Sequence, residues 1–176
     1  MSLTSERKGH AAPADLAERR AGLAAAVAAG VWRTDPAPEE VHIDGIRCLR
    51  FSPSGASRGT VLHIHGGAFR IGCPEMMGPF AAALTERCGV TVVCPAYRLA
   101  PEHPFPAGLN DCLTLLAALN EGPMILSGDS AGGGLAARNP RGRLLRVQLA
   151  VAGGTRRRGS LAAGARQCRR QTSRRW

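Results

Sequence analysis

Downstream of Ser130 the chain contains no histidine, no aspartate and no glutamate. All five histidines (positions 10, 42, 63, 65 and 103) and all 13 acidic residues precede it, so no imidazole or carboxylate can act from the last 46 residues. The six cysteines (48, 73, 88, 94, 112 and 168) form no C-x-x-C pair and have no histidine at ligand spacing. That argues against a zinc site, and no other metal and no organic cofactor is expected. No apolar run reaches the roughly 18 residues of a membrane span. The segment Ala21 to Val31, preceded by Arg19-Arg20, superficially resembles a secretory leader, but it starts late and is mostly alanine, which favours a surface helix.

Charge is divided unevenly. Residues 1–130 hold 11 Lys and Arg against 13 Asp and Glu, a net of −2, whereas residues 131–176 hold 12 Arg and no acid. Such a tail attracts phosphate, on nucleic acid or on anionic lipid. Its one aromatic residue is Trp176, and it has neither a recognisable binding motif nor amphipathic order, so no specific nucleic-acid partner is expected. Cys94 and Cys112 lie in apolar stretches and read as small buried hydrophobes. This usage suits a reducing, cytoplasmic setting.

At 176 residues the chain is one domain at most. Leu16, Leu23 and Val27 share a face of a helix over 14–29, which Pro36 and Pro38 close off. Val41 to Phe51 reads as a strand pair turning at Asp44-Gly45, and 60–64 as a short buried strand. A helix over about 74–88 follows, with Pro74 in its first turn. The β-branched run 90–94 predicts a strand buried on both faces. Proline-rich 97–106 is an ordered loop, 109–119 a helix and 124–126 the next buried strand. A further short strand is possible at 147–151. Strand and helix alternate, which makes the fold class α/β, a mostly parallel sheet with flanking helices.

Three segments carry chemistry. Gly128-Asp129-Ser130-Ala131-Gly132 is a G-x-S-x-G element between a strand and a small-residue helix start. It places a serine hydroxyl on a tight turn beside free backbone amides. His63-Ile64-His65-Gly66-Gly67-Ala68-Phe69 and Tyr97-Arg98-Leu99-Ala100-Pro101-Glu102-His103-Pro104-Phe105-Pro106-Ala107 precede it, each just after a predicted strand. In this order the three resemble the hormone-sensitive-lipase-like branch of the α/β-hydrolases, which includes bacterial esterases and acetylhydrolases. The resemblance covers residues 40–137.

It implies a serine carboxylic-ester hydrolase acting on short-chain esters or small lactones, with no cofactor. Ser130 would be the nucleophile, with amides of Gly66, Gly67, Ala68 and Ala131 as the oxyanion hole. Negative charge develops on one oxygen in the tetrahedral intermediate, and glycine lets the main chain approach it. His65 and Asp129 would support the motif rather than react. Cys73, on an exposed turn with no base nearby, takes no role. The helix around Leu16 to Val27 would join a cap over the acyl pocket. Residues 1–40 then form a helical cap segment, 41–137 a partial α/β-hydrolase core and 138–176 a basic tail of uncertain origin.

The fold's order is Ser, then Asp or Glu, then His, and here the last two are missing after Ser130. The pattern stops mid-helix at Ala137 and gives way to a segment rich in Arg, Gly, Ala and Ser, as a shifted reading frame would. That tail cannot bury enough apolar surface to order itself. The expectation is an inactive, poorly soluble hydrolase-like chain. The alternative is a truncated non-catalytic remnant whose basic tail binds anions or nucleic acid. Oligomeric state is left open.

Overall fold

The computed structural model describes residues 13–119 and 122–138. Helix α1 (Pro13–Ala28) buries Leu16, with Leu23 and Val27 half-buried on the same side. Strands β1 (Glu39–Ile43) and β2 (Ile46–Phe51) form a hairpin in which Ile43 pairs with Ile46. Its two turn residues, Asp44 and Gly45, both have positive φ (48° and 77°). A two-residue turn of that hand matches strand twist, which is why Asp-Gly occupies it.

Strand β3 (Thr60–Ile64) follows, then a 3-10 turn at Pro74–Met77 that leads into helix α2 (Gly78–Cys88). The single helix expected over 74–88 is thus divided. Pro79 has no N–H to offer the carbonyl of Glu75, and the Gly78 N–H takes that carbonyl instead, the tighter 3-10 pattern. Gly89, in the left-handed conformation, ends α2 with its N–H on Thr85 O. Strand β4 (Thr91–Pro95), helix α3 (Ala107–Ala118), strand β5 (Met124–Gly128) and helix α4 (Ala131–Ala137) complete the described chain.

The sheet order is β1-β2-β4-β3-β5. β4, β3 and β5 are parallel, as expected, but the hairpin joins through β2 antiparallel to β4, so the sheet is mixed. Short turns allow only antiparallel neighbours, whereas the helical connections allow parallel ones. Side chains alternate between the faces. Leu62, Ile64, Val93 and Cys48 pack with Leu115 of α3 and Leu135 of α4. Val61, Val92, Cys94, Leu49 and Phe51 pack with Ala81 of α2 on the other face. Each Val, Leu, Ile or Phe side chain among them taken fully from water contributes roughly 1.5–3 kcal/mol.

This arrangement positions the site. β3 feeds the helix on one face and its neighbour β5 feeds the helix on the other, so the carboxyl ends of these two strands form a topological switch point. Ligands of open α/β sheets bind at such a switch point. Among the described residues no strand covers the outer edge of β5. The short strand at 147–151 and, Arg138 apart, the basic tail lie outside the described residues.

Candidate active site

Ser130 stands between the end of β5 and the start of α4, exposed, with φ 47° and ψ −116°. A non-glycine residue there is strained by about 1–3 kcal/mol and persists only where its surroundings dictate it. They do so through close backbone packing. A Cβ on Gly132 would overlap the carbonyl oxygen of Ile64, and one on Gly128 would overlap the main chain of Gly132. Helix α4 therefore starts in backbone contact with the ends of β5 and β3, and the chain must turn sharply at Ser130 to get there.

Asp129 ties the elbow to the neighbouring loop. Its Oδ1 accepts the Gly66 N–H at 2.8 Å, and its own N–H donates to Ile64 O at 3.3 Å. Its carbonyl receives the amides of Gly132 and Gly133. Gly66 was expected to offer its N–H to an oxyanion. The structure commits that N–H to Asp129, and what Gly66 supplies is close approach, since a Cβ there would overlap the Asp129 carboxylate. The amides of Gly67, Ala68 and Ala131 have no hydrogen-bond partner among the described residues.

His65 is 1% exposed. Its Nδ1 lies 2.7 Å from Gly66 O, a bond in which the ring N–H donates. The ring stacks on Tyr97 at 4.3 Å between centroids, and the Tyr97 hydroxyl donates to His65 O at 2.9 Å. His65 is thus bound into its own loop and into the Tyr97 segment, with no hydrogen bond to Ser130. The Tyr97 loop is secured in turn by Asp111, a buried carboxylate that takes the Arg98 N–H at 2.8 Å and the guanidinium at 2.7 Å.

Sequence reasoning passed over His63, which was seen only as part of the motif. Its Nδ1 sits 3.0 Å from Ser127 Oγ and its Nε2 3.2 Å from Met77 Sδ, with Asp129 Oδ1 at 4.0 Å. The signal was pairing register: His63 faces Ser127 across β3 and β5. Cys73 also differs from expectation. It is half-buried rather than on an exposed turn, with the Glu75 carboxylate beside it, and burial pushes its thiol up to about 11. Such a thiol is inert. His42 and His103 are exposed; His10 lies outside the described residues.

Burial holds both His63 and His65 below the ordinary histidine value, against the opposing pull of Asp129. Both are bases favoured neutral in the fold, so unfolding takes up protons. Their contribution is complete above about pH 6.5 and is lost as pH falls from there towards their lowered values. Unfolding free energies from urea titrations should therefore fall between pH 7 and pH 5, by up to about 1.4 kcal/mol per pH unit for each histidine. A flat profile across that range would show that neither ring is buried neutral.

Helix α1 lies over a cleft of about 600 Å³, lined by Leu23, Val27, Ile71, Cys73, Tyr97 and Leu99 among others. That is within the usual size of small-molecule sites. No helix of the described residues is long and apolar enough to cross a membrane, and none of their His, Cys, Asp and Glu side chains cluster in a group able to hold a metal.

Residues 61–142 match a family described as having the alpha/beta hydrolase fold. The acetyl-hydrolase of Streptomyces hygroscopicus is 39% identical over 82 residues, 44% of this chain and 27% of that protein. Lipase 2 of Moraxella sp. (strain TA144) is 38% identical over 106 residues, 52% of this chain and 24% of that protein. Among solved structures, a hormone-sensitive lipase from a metagenome library superposes with a TM-score of 0.60 at 31% identity, covering 74% of this chain and 45% of that one. The chain thus spans about a quarter of the length of these curated relatives.

Proposed function

This chain belongs to the hormone-sensitive-lipase-like branch of the α/β-hydrolase fold family, and from that premise we propose that Ser130 is mounted as the nucleophile of a carboxylic-ester hydrolase. One observation carries the reading. An exposed serine in a strained turn is followed by an amide, that of Ala131, with no partner among the described residues, and the loop after the neighbouring strand β3 carries two more, those of Gly67 and Ala68. Attack of Oγ on an ester carbonyl would put negative charge on the carbonyl oxygen, and these N–H groups are the donors available to it. One such donor is typically worth about 3–4 kcal/mol. The cleft beneath α1 supports the cap reading of residues 1–40, although neither Ser130 nor the three amides line it; short-chain esters or small lactones are the substrates the family resemblance suggests.

The same proposal includes what the 176 residues lack. No described histidine hydrogen-bonds Ser130, and no acid or histidine follows it in sequence. Oγ then keeps its proton, and catalysis falls to what the oxyanion site and binding provide alone. A fluorophosphonate probe should label Ser130 slowly, over hours, and leave Ser130→Ala untouched. Failure to label, with salt-sensitive retention on heparin, would favour the anion-binding remnant.

A further inference from the structure

We propose that Arg20, on α1, is a positioning residue for the loop that carries the Gly67 and Ala68 amides. The inference rests on reading those amides as oxyanion donors. Three consecutive residues, Gly67, Ala68 and Phe69, have positive φ (114°, 54° and 62°). Left-handed backbone is unfavourable for alanine and for phenylalanine, and it persists only where neighbouring contacts over-determine it. Phe69 is 45% exposed, so side-chain packing does little to hold the turn.

Hydrogen bonds hold it from two sides. On the inner side, the amides of Arg70 and Ile71 both donate to Gly67 O at 3.0 Å. On the outer side, Phe69 O is taken by the Ala100 N–H at 2.8 Å, and Arg70 O by Arg20 Nε at 2.8 Å. Arg20 Nη2 also donates to Ala100 O at 2.8 Å. The guanidinium therefore bridges the oxyanion loop and the 97–106 loop that braces it. Glu102 fixes the plane of the guanidinium through contacts of 2.7 and 3.0 Å. Two neutral carbonyls and a carboxylate around one planar fork is a task for arginine, and lysine's compact ammonium cannot span it. Arg20 lies 50 residues before Arg70 and 80 before Ala100, and no helical or strand periodicity links them.

The test combines amide hydrogen exchange with fluorophosphonate labelling on the full chain. In Arg20→Ala, exchange at the Arg70, Ile71 and Ala100 amides should rise at least tenfold while amides of β3 and β4 keep their wild-type rates. Labelling of Ser130 should slow at least tenfold in the same variant. Arg20→Lys should behave like Arg20→Ala. Glu102→Gln should stay near wild type, because Arg20 still reaches both carbonyls. Should Arg20→Ala loosen the sheet as well, Arg20→Lys decides by the same criteria. Unchanged exchange at Arg70 and Ile71 in both Arg20 variants overturns the proposal, whatever the labelling shows. A wild-type chain that resists labelling, with the expected exchange differences in the Arg20 variants, would sink the oxyanion reading and leave Arg20's bridging of the two loops standing.

Discussion

Hydrolysis of p-nitrophenyl acetate by the purified chain is expected to equal that of its Ser130→Ala variant. The hydroxyl is exposed and the amides proposed as oxyanion donors are unpartnered among the described residues, but turnover needs an acceptor for the Oγ proton. His65 spends Nδ1 on Gly66 O, and His63 lies against Ser127 and Met77. His103 and His42 are exposed, and neither hydrogen-bonds Ser130. In a serine protease, loss of the triad histidine lowers kcat by about 10⁶, nearly as much as loss of the whole triad. That is about 8 kcal/mol of barrier. A deficit of this size is far beyond what a modest rearrangement of loops could recover. Ester turnover well above the Ser130→Ala control, titrating like a histidine near neutral pH, would mean that one of the upstream imidazoles reaches the serine after all.

Local patterns made much of the fold legible, and long-range pairing accounts for what was missed. The β-branched run around Val92 and Val93 announced a strand buried on both faces because burial on each side admits no polar residue. Asp44-Gly45 announced its hairpin because few other pairs accept two positive φ values. The three motifs marked the ends of β3 and β5 for a similar reason: glycines recur where main chain must meet main chain. What stayed hidden depends on which strand lies beside which. The partner of the Gly66 N–H is an aspartate 63 residues away, and that choice follows from β3 and β5 being neighbours. His63 and Ser127 meet for the same reason. The antiparallel attachment of the hairpin to β4 was equally invisible, since the length of a connection limits orientation without choosing the neighbour. Cys73 was misjudged because the 3-10 turn after it brings the Glu75 side chain and the Met76 backbone against its thiol, and because it lines the cleft under α1, a tertiary feature that its local sequence does not announce.

Gly132→Ala should cost about 3 kcal/mol or more, whereas Gly134→Ala, two residues along the same helix, should be neutral or slightly stabilising. At Gly134 an added Cβ meets only the Phe69 ring tip at 3.9 Å, an ordinary contact, and alanine is the better helix former by up to about 1 kcal/mol. At Gly132 the added carbon overlaps Ile64 O and would lie 2.6 Å from His65 O. Both are backbone atoms of a buried strand end, so no change of rotamer relieves the clash. Inserting carbon into a well-packed core typically costs 1–3 kcal/mol when side chains can yield. Here they cannot, which places the cost at or above the top of that range. Native domains hold only about 5–15 kcal/mol in total, so the variant should lose a large share of its stability. Moving α4 away from β3 would also pull the Gly132 amide off Asp129 O and with it the constraint that sets Ser130 in its turn. Urea unfolding followed by circular dichroism reads the difference directly as a midpoint shift of 1 M or more, at slopes of about 1–3 kcal/mol per molar. Equal midpoints for the two variants would mean that α4 does not start in contact with β3, and the site built on that contact would have to be abandoned.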